Sequence, residues 1–144
     1  MEIPVYRRDV QIPLPYKHIE QDSGYDLTAC IEGPIVLVPF VPVKIPTGIH
    51  LGMSPGIEAQ IRPRSSLSAK GILVSLGTID APFRGELAAI LLNLTHTRQV
   101  VSPGQRVAQL CFVEVLSPKL VEVNSLEALG TTERGAGGWG STGA

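Results

Sequence analysis

The stretch PIVLVPFVPVKIPTGIHL, residues 34–51, sets four prolines and a glycine among nine Val, Ile and Leu residues. Proline inside a helix removes a backbone donor and clashes with the preceding turn, so no helix runs through this segment. What remains between the prolines is short extended chain, and strands are predicted over Ile35–Pro39, Val43–Ile45 and Gly48–Leu51. The pattern continues outward through Pro55, Pro63, Pro82, Pro103 and Pro118, with aliphatic runs between turn residues. Further strands are predicted over Val5–Arg8, Ile57–Arg62, Ile72–Ser75, Glu86–Asn93, Arg106–Leu116 and Leu120–Val123. Many short strands with this punctuation predict an all-β sandwich or barrel.

Two strands carry finer information. In Ile57–Arg62, Ile57, Ala59 and Ile61 face one way and Glu58, Gln60 and Arg62 the other, the signature of a half-buried strand. Arg106–Leu116 is apolar on both faces: Val107, Cys111, Val113 and Val115 on one, Ala108, Leu110, Phe112 and Leu116 on the other. Such a strand is covered twice, either by another subunit or as a central strand inside one sandwich.

The chain has 144 residues, 44% hydrophobic and 17% charged, with net charge −1. This is one core of ordinary size, too apolar for disorder and without the positive charge of a non-specific nucleic-acid binder. No run reaches the ~18 apolar residues of a membrane span, and MEIPVYRRDV lacks the apolar centre of a secretory leader. Cys30 and Cys111, both in apolar stretches, read as reduced thiols and point to the cytoplasm. Helix signals are confined to Ser65–Gly71 and to a single turn at Ser125–Gly130. The last twelve residues, from Glu133, include five glycines and the chain's one tryptophan, Trp139. The expected division is a β domain over 1–132 and a mobile arm of that domain over 133–144, because so little apolar area does not offset ordering entropy.

Three segments carry chemistry. Arg134 to Gly143 reads as an anion-binding lid: glycine N–H groups turn toward a phosphate, Ser141 and Thr142 add hydroxyls, and Arg134 adds a forked cation. A flexible terminus without a role is the alternative. The spacing Gly135-x4-Gly140 imitates a P-loop, but Ser141 stands where the lysine belongs and no helix follows. Gly77 to Glu86 lies between strands and predicts a hairpin with Asp80 near its tip. The plain reading makes Asp80 a turn residue and pairs Arg84 with Glu86. Pro63 to Leu67 puts Arg64 and two hydroxyls at a helix N-terminus, which attracts anions, or where Ser65 simply caps the helix. The three histidines, His18, His50 and His96, have no ligand spacing and imply no metal.

Taken in order, SGYDLTA (23–29), PRSSL (63–67), GTIDAPFRGE (77–86), PGQRVAQL (103–110) and RGAGGWGSTG (134–143) resemble the five motifs of the dUTPase family. That resemblance implies a jelly-roll-like β fold with one short helix, assembled as a homotrimer with shared active sites. It also implies hydrolysis of dUTP to dUMP and pyrophosphate with Mg²⁺, which keeps uracil out of DNA and supplies dUMP for dTMP synthesis. By position, Asp80 would activate the attacking water. The segment from Gly77 through Thr78 and Ile79 to Ala88 would read uracil through its backbone. Phe83, where the family usually has tyrosine, would press on the deoxyribose and exclude a 2′-hydroxyl. Val74 stands where many bacterial members have asparagine. Arg64, Ser65, Ser66 and Gln109 would line the phosphates, and Asp26 would hold the Mg²⁺ through water rather than directly. Arg134, Gly140, Ser141 and Thr142 would close on the γ-phosphate, with Trp139 stacked on uracil. Two rivals follow from other classes: a dCTP deaminase of related fold, and a non-enzymatic jelly-roll module. No nucleic-acid or membrane partner is implied.

Overall fold

A computed structural model describes residues 1–138. Among the described residues the chain forms eleven short strands and one helix. The strands are β1 (Val5–Arg7), β2 (Tyr25–Thr28), β3 (Ile35–Leu37), β4 (Pro42–Pro46), β5 (Ile49–Leu51), β6 (Ile57–Arg62), β7 (Ile72–Val74), β8 (Gly77–Ile79), β9 (Ala88–Asn93), β10 (Gln99–Val101) and β11 (Arg106–Glu114). The helix α1 (Ser65–Ser68) follows β6. All ladders are antiparallel: a four-stranded sheet ordered β2-β11-β6-β8, a three-stranded sheet β4-β9-β7, and the pairs β1-β5 and β3-β10. This is the all-β architecture expected from the proline-punctuated runs, in the jelly-roll-like form that the motif resemblance implied.

Leu27, Leu37, Ile45, Val74, Leu87, Leu91, Val101, Val107 and Leu110 are wholly buried together between the sheets. Asn93, buried with them, keeps its amide satisfied by donating to the Leu37 and Thr97 carbonyls and accepting from Thr95. Polar groups in the core are tolerated on this condition.

β6 alternates as its sequence does, with Ala59 and Ile61 buried and Arg62 exposed. Its polar face is knitted lengthwise: Arg62 Nε donates to Gln60 Oε1 at 2.9 Å and Gln60 Nε2 to Glu58. In β11, Val107, Ala108, Leu110 and Cys111 are all buried within this one chain, helped by a register shift between Arg106 and Ala108. Of the two readings for that strand, the central-strand reading accounts for Arg106–Cys111. The strand predicted over Leu120–Val123 does not form, since no sheet edge of the same chain reaches it. From Leu116 to Leu129 the chain runs outward with a 3-10 turn at Glu127–Leu129, leaving Leu116, Leu120, Val121, Leu126 and Leu129 exposed. No described helix is long and apolar enough to cross a membrane.

Candidate active site

Because β2 and β6 flank β11, Asp26, Gln109 and Arg62 fall on one rung of the sheet. The chain leaves β6 through Pro63, which brings Arg64 back over β2. Three segments far apart in sequence therefore meet at one end of the sheet. Arg64 Nε donates to Asp26 Oδ1 at 2.7 Å and Arg106 Nη1 to Asp26 Oδ2 at 3.1 Å. Both carboxylate oxygens thus face guanidinium groups, and the Arg64–Asp26 pair is mostly buried. Arg106 is held above its ordinary pKa by the hydrogen bond to Asp26 and by Tyr16 beside it. Two arginines around one carboxylate leave the trio one positive charge, suited to an anion.

Gln109 Nε2 donates to the Pro63 carbonyl at 2.8 Å and fixes the approach to α1. A Cβ on Gly24 would lie 2.0 Å from Gln109 Oε1, so glycine just before β2 is what leaves room for this side chain. Asp22, Ser23, Gly24, Asp26, Arg64, Ser65 and Gln109 border an open, largely polar depression of about 250 Å³. Arg64 occupies the N-cap position of α1 and no side chain caps the helix, so Ser65 is its first residue and not its cap. Ser66 Oγ accepts weakly from Arg64 Nη1 at 3.4 Å.

The Gly77–Ala88 segment lies elsewhere. β7 and β9 are the arms of a hairpin, with Ser75 N–H donating to Ile90 O at 2.9 Å, but its distal part leaves that sheet. Gly77, Thr78 and Ile79 pair with Ile61, Gln60 and Ala59, whereas Ala88 pairs with Pro46 in the other sheet. Asp80 therefore sits at a crossing between sheets, at a turn where its carbonyl accepts the Phe83 N–H at 3.0 Å. Its side chain is exposed and has no hydrogen-bond partner among the described residues. The Phe83 ring lies over Gly85, where a Cβ would come within 2.4 Å of Cζ. Arg84 and Glu86 do not pair with each other. Arg84 Nη1 donates to the Ala81 and Phe83 carbonyls at 2.6 and 2.9 Å, and Glu86 accepts from Gly48 N–H at 2.6 Å and faces Arg8 at 3.6 Å. The register places Asp80 beyond Ile79, level with the start of β6, while Arg64 follows its end. Four residues of strand, roughly 13 Å, separate the two levels. One chain does not bring Asp80 to Arg64, Ser65 and Gln109.

Val74 is buried in the core. Arg134 is exposed, its Nε donating to the Gly137 carbonyl at 2.8 Å within a turn. Trp139, Gly140, Ser141 and Thr142 lie outside the described residues. Sequence reasoning gave Arg106 no role, although it stands in the PGQRVAQL segment. Its partner was hidden because Asp26 lies 80 positions away. Among the described residues no three His, Cys, Asp or Glu side chains gather as metal ligands.

The dUTPase family model matches residues 10–143. The chain is 44% identical over 135 residues to a deoxyuridine 5′-triphosphate nucleotidohydrolase of Chlamydia felis, covering 92% of each. It is also 44% identical over 133 residues to the enzyme of that name from Chlamydia caviae, covering 90% of each. Among solved structures, the Staphylococcus bacteriophage 80alpha dUTPase with dUPNHPP superposes with a TM-score of 0.84 at 24% identity, over 99% of both chains. A dUTPase from phage phi11 of S. aureus, solved with a structural Mg(II) ion, superposes at 0.78 and 21% identity over 88% of this chain and 99% of that one. At these identities the two structures support the fold.

Proposed function

The chain belongs to the dUTPase family and is a dUTP diphosphatase; on that premise we propose that a water activated by Asp80 attacks the α-phosphorus, splitting dUTP into dUMP and pyrophosphate. The observation that carries this reading is the Asp80 carboxylate itself, exposed at a sheet crossing with its oxygens uncommitted among the described residues. A carboxylate so placed takes a proton from water and fixes its line of attack, whereas Asp26, clasped by two arginines, does neither. Beside Asp80, β8 is the edge strand of its sheet. Edge strands leave backbone donors and acceptors unpaired, and Gly77, Thr78 and Ile79 present them to uracil as a base-pair edge would. Phe83 packs on the deoxyribose.

Arg64, Ser65, Ser66 and Gln109 bind the triphosphate in the polar depression, neutralising charge that builds on the departing pyrophosphate. The depression and Asp80 lie at opposite ends of β6, so a complete site takes Asp80 from one subunit and the phosphate group from the next. The exposed leucines of residues 116–129 support the same homotrimer, because an arm this apolar gains by docking on another copy. Mg²⁺ supplies further neutralisation of the triphosphate when bound. With both of its oxygens facing arginines, Asp26 would hold such an ion through water rather than directly. Arg134, Trp139, Gly140, Ser141 and Thr142 close over the bound nucleotide as an arm of the domain spanning 1–132. In the cell the reaction keeps uracil out of DNA and supplies dUMP for dTMP synthesis, and two unbridged cysteines suit the reducing cytoplasm.

Pyrophosphate release from dUTP, UTP, dTTP and dCTP tests the reading, with ammonia measured for dCTP. Turnover confined to dUTP is expected, and ammonia from dCTP would move the chain to the deaminases. Asp80→Asn is expected to keep nucleotide affinity while turnover falls ~10²-fold or more. Turnover within a few-fold of the unaltered enzyme would remove Asp80 as the base.

A further inference from the structure

The segment that crosses between sheets from Asp80 to Leu87 is fastened at its far end to Thr47–His50. Thr47 N–H donates to Leu87 O at 3.1 Å and Leu87 N–H to Ile49 O at 2.8 Å. One position further along β5 the anchor changes from backbone to side chain: His50 Nδ1 lies 2.9 Å from the Arg84 carbonyl oxygen. A carbonyl oxygen only accepts, so Nδ1 carries the proton in this contact. Among the described residues, His50 is the one side chain from outside the segment that donates to the backbone of residues 80–86. The Arg84 guanidinium also binds carbonyls there, at Ala81 and Phe83, but from within the segment. It shapes the turn and reaches beyond the segment only through a long contact, Nη2 to the Met53 carbonyl at 3.5 Å, so the short tie to β5 is His50. Tyr6, opposite His50 on β1, stands against the imidazole with ring centroids 5.4 Å apart and limits its rotation.

We propose that His50 is a positioning residue for sugar selection, holding the Arg84 peptide and through it the Phe83 ring. The Arg84 carbonyl lies between Phe83 and Gly85, the two residues whose close packing sets the ring. When that carbonyl is pinned to β5, the 83–85 backbone has one position and the ring has one place over Gly85. Without the pin the backbone shifts outward and the ring gives way to a 2′-hydroxyl. The inference rests on the proposed role of Phe83 in excluding that hydroxyl, and the test separates the two.

The readout is the ratio of kcat/KM for dUTP to that for UTP, measured on the full-length enzyme and on His50→Ala, His50→Asn, His50→Gln and Phe83→Ala. His50→Ala is expected to lower the ratio roughly three- to tenfold, the equivalent of one net hydrogen bond. Asparagine carries an amide N–H where imidazole carries Nδ1–H and restores the ratio. Glutamine, whose amide reaches the Nε2 position, does not. Phe83→Ala lowers the ratio at least as far as His50→Ala. An unchanged ratio in His50→Ala alongside a fall in Phe83→Ala overturns the role of His50 alone. An equal loss with both nucleotides in His50→Ala also overturns it, since that is what a structural defect produces. An unchanged ratio in Phe83→Ala removes the reading of Phe83 and the proposal with it. Independently of folding in the variants, long-range proton–nitrogen spectra of the intact enzyme report the tautomer of His50. Nδ1 protonation of the neutral ring is expected, and Nε2 protonation contradicts the proposal.

Discussion

At the residue scale, the two aspartates of the motif segments have opposite surroundings. Asp26 is 14% exposed at its side chain and bonded to Arg64 and Arg106, so its charge is already spent on structure. Asp80 is exposed and uncommitted among the described residues. Replacing Asp26 by asparagine keeps one acceptor but leaves two guanidinium groups without their counter-charge. It is expected to destabilise the fold by about 1–3 kcal/mol and to raise KM for dUTP. Thermal unfolding and steady-state kinetics check both, and a variant with unaltered stability would show that the trio contributes nothing net. Sequence motifs made both aspartates visible, but not their difference. That difference depends on Arg106, which reaches Asp26 only because β2 and β11 pair in this register. The same limit hid His50, whose partner is a backbone carbonyl and leaves no trace in residue type.

At the scale of elements, the proline-punctuated stretch was enough for the fold class, because prolines this closely spaced leave no room for a helix interior and the short runs between them suit strands. The strands that sequence reading missed, β2, β8 and β10, are only three or four residues long, too short for periodicity to mark them. The hairpin predicted around Asp80 exists at its base, as β7 and β9, but β8 defects to the β6 edge. Local turn signals do not show such a change of sheet. The last element, Arg134 onward, is assigned from sequence. Trp139 is the sole tryptophan, and a non-hydrolysable dUTP analogue is expected to quench or shift its emission, with dUMP doing much less. Stacking on the base contributes about 1–3 kcal/mol, which works with phosphate contacts to hold the arm. Truncation after Glu133 is expected to leave a folded protein of greatly reduced activity. Full activity after truncation, or emission indifferent to the triphosphate, would leave the arm without a role.

At the scale of the whole molecule, the single chain carries a packed core, and its Asp80 and Arg64 lie toward opposite ends of β6. Up to Cys111 β11 is buried without help, whereas Phe112 and Val113 are half-buried and Val115 and Leu116 are 38% and 91% exposed, so only the end of the strand leaves apolar surface for another copy. The argument for assembly comes from that end of the strand, from the exposed arm after it and from the separation of Asp80 and Arg64 along β6. Leu120 and Leu126 are 91% and 80% exposed in the single chain. Replacing both by aspartate is expected to shift the enzyme from trimer toward monomer in light scattering, with loss of activity but not of β-sheet content. An active monomer would contradict the shared-site account.

The most direct test of that account mixes two inactive proteins. Asp80→Asn subunits retain the phosphate group of residues, and Arg64→Ala subunits retain the base. If each site draws Asp80 from one subunit and Arg64 from its neighbour, co-assembled trimers regain dUTP hydrolysis, to about a quarter of the unaltered activity per site in a random one-to-one mixture. Activity in the mixture no higher than in the two variants apart would place both residues in the same subunit's site and contradict the account.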